Sequence, residues 1–335
     1  MNVIWIILSL IHILHNKEIV MSFENDLSSN RMFVYPIIEE KRRKLLIDTG
    51  SYLSWYKDES TQIINCNTNT ECKGKINKMN SHYLKKENNL IVEYESGFIV
   101  LNFINCDIRV NNVLIRTKIG KAKFIDINTY YKFDGIFGLG IDNLNDNYLF
   151  NYFISQGITM FSFDFKDNTI RFSDNNDIRQ YNRIEVDSIG KFWEVEANHF
   201  TINHYDLCDV IKRYYSKCMI FFDTGTQTNS LPSERILSLF NKHINNNNKL
   251  LIDFSSKIKI TVNNKDIIRK ISLLKSTSLF QSNSLGKIVL GINFIRAHNM
   301  IFNISDRYIL IESEYNKVNY SEISTLMTKW KLYNL

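Results

Sequence analysis

Short apolar blocks alternate with polar turn residues along most of this chain. Blocks of this length, bounded by turn residues, are typical of β-strands rather than helices. The blocks predicted to be strands are Leu90–Tyr94, Phe98–Phe103, Ile108–Leu114, Met160–Phe165 and Thr169–Phe172. The pattern therefore predicts a mostly β fold with few helices.

Two segments instead repeat apolar residues at helical spacing. In Asn143–Gln156 the apolar side chains fall on one helical face, and Gly157 follows as a stop. Pro232–Ile244 has similar spacing, with proline at the first helical position. We expect one helix from each segment.

One motif occurs twice, each time behind an apolar strand. Leu45–Ile47 leads into Asp48-Thr49-Gly50-Ser51, and Met219–Phe222 leads into Asp223-Thr224-Gly225-Thr226. A single Asp-Thr-Gly is weak evidence, because three common residues recur by chance. Two copies with the same layout indicate a duplicated unit, in which each strand delivers a carboxylate to a tight turn that glycine permits. The repeat predicts that two carboxylates work together.

The N-terminus carries an apolar run, Val3–Leu14, without a charged side chain. It is shorter than the roughly 20 residues that span a membrane, and its length suits the core of a signal peptide. No basic residue precedes it and no clear cleavage site follows. Residues 1–15 are therefore predicted to be a signal peptide, with a membrane-attached signal anchor as the alternative. Either would direct the chain into the secretory pathway.

Five cysteines fit that compartment. Cys66 and Cys72 bracket a polar loop, and Cys208 and Cys218 bracket a short segment before the second motif. Two local disulfides are predicted, with Cys106 left over, and buried free thiols are the alternative. A zinc site is disfavoured, because no Cys-x-x-Cys pair or nearby histidine completes a set of four ligands.

Charge and composition favour a globular protein without a nucleic-acid partner. Apolar residues make up 44% of the chain, charged residues 23%, and the net charge is +6. The densest basic run, Lys41–Lys44, is predicted to be a solvated hairpin turn, because no aromatic or glycine-rich context accompanies it.

Further segments, in order along residues 31–312, make the chain similar to the pepsin-like (A1) aspartic proteases, and in particular to the plasmepsin-like parasite type. Tyr94–Gly97 resembles the flap of that family. The other matching segments are Trp55, Phe133–Gly140, Phe192-Trp193 and Ile288–Arg296. The resemblance implies a bilobal fold, with two related β lobes and an active-site cleft between them.

The resemblance also implies the limits of the domains. Residues 31–177 would form the N-terminal lobe with the first motif and the flap. Residues 178–312 would form the C-terminal lobe with the second motif, and residues 313–335 would be a tail.

The residues implied as an active site fall into three sets. Asp48 and Asp223 would be catalytic. The groups supporting them would be Thr49, Gly50, Ser51, Thr224, Gly225 and Thr226. The flap would comprise Tyr94, Ser96 and Gly97, with the Tyr94 hydroxyl reaching the indole N–H of Trp55.

The chemistry requires two carboxylates held close together, because such a pair cannot readily ionise twice and keeps one proton. The ionised member would activate a water, and the protonated member would hydrogen-bond the scissile carbonyl, so neither cofactor nor metal is expected. The resemblance implies an aspartic endopeptidase, expected to be monomeric, which cuts protein or peptide substrates between large hydrophobic residues in an acidic organelle, a vacuole or outside the cell. Its cleft would be lined by Tyr52, Tyr94, Phe98, Phe137 and Ile292.

Two other functions compete with an endopeptidase. A catalytically silent binding protein on the same scaffold is the alternative, although both motifs are intact. Another hydrolase or a metalloenzyme is disfavoured, because the sequence contains neither Gly-x-Ser-x-Gly nor His-Glu-x-x-His.

Overall fold

The computed structural model of the chain shows a mostly β protein, which confirms the fold class predicted from the apolar pattern. The residues it describes are 18–64, 89–94, 97–126, 133–141, 148–174, 181–187, 192–243, 250–254, 258–262, 268–272, 275–278 and 280–312. Among these residues, no helix is both long enough and apolar enough to cross a membrane.

The strands are numbered in chain order. In residues 18–126 they are β1 (Glu18–Ser22), β2 (Glu24–Asp26), β3 (Arg31–Val34), β4 (Ile37–Ile38), β5 (Lys41–Arg42), β6 (Leu45–Asp48), β7 (Trp55–Tyr56), β8 (Gln62–Ile64), β9 (Asn89–Tyr94), β10 (Gly97–Val110) and β11 (Val113–Asp126). In residues 133–223 they are β12 (Gly135–Gly138), β13 (Met160–Asp164), β14 (Thr169–Ser173), β15 (Tyr181–Glu185), β16 (Glu194–Glu196), β17 (His199–Ile202), β18 (Tyr205–Asp206) and β19 (Met219–Asp223). In residues 230–312 they are β20 (Ser230–Leu231), β21 (Leu250–Phe254), β22 (Ile258–Val262), β23 (Ile268–Ser272), β24 (Lys275–Ser278), β25 (Gln281–Ser282), β26 (Ile288–Gly291), β27 (Met300–Asn303) and β28 (Tyr308–Glu312).

The helices within the described ranges are α1 (Tyr148–Ser155), α2 (Leu207–Tyr215), α3 (Glu234–His243) and α4 (Ile292–Ala297). The chain folds into two compact units. One is Phe33–Tyr152, and the other joins Met1–Met32 to Phe153–Leu335.

In the unit Phe33–Tyr152, the first motif follows a central strand. Within this unit, the strands of the sheet have the order β3-β6-β12-β7-β11-β10-β4-β5, with β8 beside β11 and β9 beside β10. All four residues of β6 are buried, which explains why the strand reads as a continuous apolar run ending in Asp48. β12 runs parallel to β6 and places Gly138 opposite Asp48.

The other unit repeats this arrangement around the second motif. β19 lies in a sheet with the order β16-β19-β26-β20-β25. β26 runs parallel to β19 and places Gly291 opposite Asp223. A six-stranded sheet with the order β1-β14-β13-β27-β28-β15 belongs to the same unit, and its core includes Phe161 stacked on Phe302 at 4.8 Å between ring centroids.

The structure corrects two predictions about hairpins. Ile108–Leu114 is not one strand, because it contains the turn between β10 and β11, where Asn111 has a φ of 51°. The basic run Lys41–Lys44 is not the turn either. The turn is Glu39-Glu40, with φ values of 48° and 64°, and β5 begins at Lys41. Positive φ at both central residues suits the right-handed twist of a two-residue hairpin.

Glu39 is held in that turn by charged and polar partners from neighbouring strands. Its Oε2 accepts hydrogen bonds from the Tyr56 hydroxyl at 2.7 Å and from Lys121 Nζ at 2.9 Å. The same Nζ lies 2.8 Å from Asp58 Oδ2. Burial, followed by the hydrogen bond to Glu39, raises the pKa of Tyr56, so the hydroxyl stays a donor. These contacts offset the cost of a non-glycine residue at positive φ.

Both predicted helices are present, although their limits differ. α1 ends before Gly157, which has a φ of 80° and is the predicted stop. The residues 143–147, where this helix was expected to begin, lie outside the described ranges. α3 begins at Glu234 rather than at Pro232, because Ser233 caps it: the Ser233 Oγ accepts a hydrogen bond from Ile236 N at 3.2 Å.

Candidate functional site

The first motif holds the carboxylate of Asp48 with one donor on each oxygen. Gly50 N donates to Asp48 Oδ1 at 2.8 Å, and Ser51 Oγ donates to Asp48 Oδ2 at 2.6 Å. Asp48 is 7% exposed, and Thr49 beside it is fully buried. Two donors from the motif's own turn therefore hold this carboxylate.

The second motif, in the other unit, has the same local arrangement. Gly225 N donates to Asp223 Oδ1 at 2.8 Å, and Thr226 Oγ1 donates to Asp223 Oδ2 at 2.5 Å. Asp223 is partly exposed, and Thr224 is fully buried. Each motif thus pairs one backbone N–H and one hydroxyl with its carboxylate.

A glycine supports each motif from the neighbouring parallel strand. Gly138 N donates to Ser54 Oγ at 2.9 Å, and Gly291 N donates to Asn229 Oδ1 at 2.9 Å. A Cβ atom on Gly138 would lie 2.6 Å from the carbonyl oxygen of Leu53, and one on Gly291 would lie 2.6 Å from that of Thr226. Only glycine permits this close approach.

Sequence reasoning missed Ser54 and Asn229 as supporting residues. Each lies six positions after its aspartate (54 − 48 and 229 − 223), so the signal was a shared spacing. The signal was hard to recognise because different side chains, a hydroxyl and an amide, supply the same acceptor oxygen.

The predicted flap residues are placed as follows. Trp55 Nε1 donates to the Tyr94 hydroxyl at 2.9 Å, which is the contact implied by the resemblance. Tyr94 ends β9 and pairs with Gly97, the first residue of β10. Trp55 is buried, and Tyr94 packs partly buried against the same apolar cluster. Ser96 lies outside the described residues.

The predicted lining of the cleft is wrong for three residues. Phe98 is 4% exposed, and Phe137 and Ile292 have no exposed surface. Phe137 and Ile292 belong to elements next to the motifs and Phe98 belongs to β10, and all three side chains are buried in the core instead of facing a substrate. Tyr52 and Tyr94 are partly buried and remain candidates.

One of the two predicted disulfides is confirmed. Cys208 and Cys218 are bonded, with their Cα atoms 5.2 Å apart, and they join the start of α2 to the residue before β19. Cys66 and Cys72 lie outside the described residues. Cys106 is free and half-buried on β10, and burial raises the pKa of its thiol.

Comparison with protein families gives one match. A family model described as eukaryotic aspartyl protease matches residues 38–312, a range that contains both motifs, the Tyr94–Trp55 contact and both supporting glycines. No match was found among curated proteins. Within the described ranges, no group of three His, Cys, Asp or Glu residues is arranged to hold a metal ion.

Proposed function

The chain belongs to the eukaryotic aspartyl protease family, and on that basis we propose that it is an aspartic endopeptidase. The observation that carries the proposal is the matched environment of Asp48 and Asp223, each with a backbone donor on one oxygen and a hydroxyl donor on the other. The same environment disfavours a catalytically silent binding protein, which would need neither arrangement.

In the proposed mechanism, Asp48 and Asp223 act as a pair that shares one proton. The ionised carboxylate takes a proton from a water, the water oxygen attacks the carbonyl carbon of the peptide bond, and the other carboxyl donates its proton towards the carbonyl oxygen. The amine of the cleaved bond then leaves with a proton from the pair, so no covalent enzyme intermediate forms. Because the pair titrates as a unit, activity should be highest at acidic pH and fall once both members ionise.

The residues beside the pair keep the carboxylates in place during this reaction. Ser51 and Thr226 orient Oδ2 of the two aspartates, and the N–H groups of Gly50 and Gly225 stabilise Oδ1. In the proposal, Thr49 and Thr224 brace the two turns.

The hairpin of β9 and β10 is the proposed flap, and the residues assigned to it are Tyr94, Ser96 and Gly97. The hydrogen bond from Trp55 supports this role, because it gives the Tyr94 ring a fixed resting position. A closing flap would exclude water from the reaction and pair its backbone with an extended peptide. Cleavage is proposed between large hydrophobic residues, since apolar pockets discriminate by about 1–3 kcal/mol per added methylene.

We also propose the protease type, the limits of the two lobes and the cellular route of the protein. The plasmepsin-like type, the lobe limits at residues 31–177 and 178–312, and entry into the secretory pathway rest on the motifs, the apolar run Val3–Leu14 and the family match.

Titration with a statine-type peptide inhibitor tests the proposed function. The wild-type chain should bind the inhibitor with one-to-one stoichiometry, because the statine hydroxyl occupies the position of the attacking water. Asp48→Ala and Asp223→Ala should each lose binding. Asp107→Ala, which removes an exposed carboxylate on β10, is the matched control and should bind as the wild type does. Equal binding by the wild type and both aspartate variants would rule out the proposed pair.

A further inference from the structure

The turn between β2 and β3 is hydrogen-bonded to the loop that follows Asp223. Both belong to the same compact unit, although about two hundred residues separate them, as the sequence separation of 197 between Asn30 and Gln227 shows. Gln227 lies one position after Thr226, whose hydroxyl bonds the Asp223 carboxylate. The turn that contains Asn30 therefore contacts Gln227, the residue directly after the second motif.

Asn30 is the centre of this contact. Its Nδ2 donates to the carbonyl oxygen of Gln227 at 2.6 Å and to Asn293 Oδ1 at 3.0 Å. Its Oδ1 accepts from Arg296 Nη1 at 3.1 Å. Both amide donors and an acceptor position are thus used by a side chain that is only 5% exposed.

These hydrogen bonds hold the loop through two segments, one at Gln227 and one at Asn293. Gln227 continues the loop after Thr226, and Asn293 follows Ile292, whose N–H donates to the carbonyl oxygen of Thr226 at 3.0 Å. A shift of Asn30 would therefore move two segments that both contact Thr226, the residue bonded to Oδ2 of Asp223.

Further hydrogen bonds stabilise the contact, and one of them is donated by the loop to the N-terminal turn. Gln227 Nε2 donates to the carbonyl oxygen of Ser29 at 2.6 Å. Arg296, which is 4% exposed, also donates from Nη2 to Asn25 Oδ1 at 2.7 Å. Hydrogen bonds from a buried guanidinium are stronger than bonds between neutral groups, so Arg296 holds the Asn30 amide in one orientation.

Asparagine satisfies two requirements at position 30. The residue has a φ of 50°, a left-handed conformation that asparagine tolerates better than most residues. Its amide also offers two N–H donors at the length of an aspartate side chain. Aspartate would keep the shape and the acceptor for Arg296, but it would lose both donors to the loop.

We propose that Asn30 is a positioning residue for Asp223: its amide fixes the loop Thr226–Gln227 so that the Thr226 hydroxyl stays on the carboxylate. This inference rests on the proposed function for its catalytic consequence. The geometry that it assigns to the loop can be measured without activity.

The test compares Asn30→Asp with Asn25→Asp in the full chain. Both variants replace an amide that accepts from Arg296, but only Asn30 touches the Asp223 loop, so Asn25→Asp is the matched control. Two readouts are taken on folded protein: hydrogen exchange of the backbone amides of Thr226 and Ile292, and kcat and KM on a peptide substrate. Asn30→Gly, which tolerates the left-handed backbone and also removes both donors, is the second variant if Asn30→Asp does not fold.

We expect the Thr226 and Ile292 amides to exchange about tenfold faster in the Asn30 variant, since two hydrogen bonds are lost. We expect kcat to fall about 10- to 100-fold with KM little changed, because a small misplacement of a reacting group costs that much. Unchanged exchange, the same change in Asn25→Asp, or a wild-type kcat despite faster exchange would each overturn the proposal. If the wild type cleaves no peptide, the proposed function fails, and the exchange contrast still decides whether Asn30 fixes the loop.

Discussion

At the scale of single residues, the hydroxyl three positions after each aspartate decides where one carboxylate oxygen lies. Thr226 Oγ1 is 2.5 Å from Asp223 Oδ2, and Ser51 Oγ is 2.6 Å from Asp48 Oδ2. The two motifs use different residues, serine and threonine, for the same hydrogen bond. The hydroxyl group is therefore required for this bond, and the methyl group of threonine is not.

Thr226→Ala should therefore lower kcat about 10- to 100-fold, since a hydrogen bond to a charged group contributes about 1.5–3 kcal/mol. Thr226→Ser keeps the hydroxyl and is the matched control, with a kcat close to the wild-type value. Steady-state kinetics on one peptide substrate make the comparison. Equal losses in both variants would mean that packing of the methyl group, rather than the hydrogen bond, is needed.

A second residue, His298, which follows α4, makes the stability of the protein depend on pH. Its Nδ1 lies 2.9 Å from the carbonyl oxygen of Phe294, and its ring stacks on that of Phe294 at 4.0 Å between centroids. Burial lowers the pKa of His298 from its ordinary 6.5 to about 4. The unfolded chain therefore binds a proton below pH 6.5 that the folded chain does not bind until about pH 4. Stability is consequently full above pH 6.5 and is lost as the pH falls towards 4.

As the pH falls from 6.5 to 4, protonation of this histidine in the unfolded chain should lower the free energy of unfolding by about 3 kcal/mol, at 1.36 kcal/mol per pKa unit. His298→Gln should flatten the pH dependence of the free energy of unfolding between pH 6.5 and pH 4, measured by urea denaturation. His204→Gln, at an exposed turn position, is the control and should leave the slope unchanged. A wild-type slope in His298→Gln would show that other groups cause the acid sensitivity.

The hydrogen bonds around each aspartate were predictable from the sequence, because a short motif repeats. Asp48 and Asp223 stand out because three consecutive residues match, and Ser51 and Thr226 follow with them. Asn30 could not have been found in this way, because its partners are distant in sequence and its left-handed backbone leaves no pattern.

At the scale of elements, each unit depends on a parallel strand pair that places a glycine opposite the aspartate. A Cβ on Gly291 would meet the carbonyl oxygen of Thr226 at 2.6 Å, and this backbone atom cannot move without moving the motif. A Cβ on Gly120 would instead have its closest contact, 2.9 Å, with Leu101 Cδ1, the end of a side chain, and would lie 3.2 Å from Trp55 Cβ.

Gly291→Ala should therefore lower the free energy of unfolding by about 3 kcal/mol, at the upper end for overpacking, and Gly120→Ala by about 1 kcal/mol. Chemical denaturation of both variants measures the difference. A loss for Gly120→Ala that equals or exceeds that for Gly291→Ala would contradict this account of the strand pair.

The disulfide is a second feature at this scale, because it ties α2 to the strand that carries Asp223. Its loop has a sequence separation of 10. Replacing Cys208 and Cys218 together by serine should lower the free energy of unfolding by about 2–3 kcal/mol, since the unfolded chain regains loop entropy. Cys106→Ser is the control and should change stability little, because this thiol forms no disulfide. Equal stability of the double variant and the wild type would show that the bond is unimportant.

Strand and helix existence was predictable, but the ends of these elements were less so. Short apolar blocks identified β13 and β14, because each is bounded by turn residues. The pattern failed at Ile108–Leu114, where apolar residues continue through a two-residue turn whose signal is only Asn111-Asn112. It also missed the short helix α4, in which four of six residues are buried and none is exposed, so it has no solvent-facing polar side.

At the scale of the whole molecule, the repeat of one local design is the strongest argument for function. The two units contain the same sequence of strand, aspartate turn and glycine-ended parallel strand, as expected of a duplicated β lobe. The repeat was readable from the sequence because the same Asp-Thr-Gly follows an apolar strand in both copies. The residue that accepts the hydrogen bond from the glycine N–H differs between the two copies. Ser54 and Asn229 were therefore not recognisable as equivalent from the sequence.

The central claim is that Asp48 and Asp223 act as one catalytic unit, and a double-mutant cycle on peptide cleavage tests it most directly. Asp48→Asn and Asp223→Asn should each reduce kcat by about 10²–10⁴, and the double variant should lose no more than the worse single variant. Two carboxylates with independent roles would instead give losses that multiply in the double variant. Multiplied losses, or more than about a hundredth of wild-type turnover in either single variant, would contradict the account.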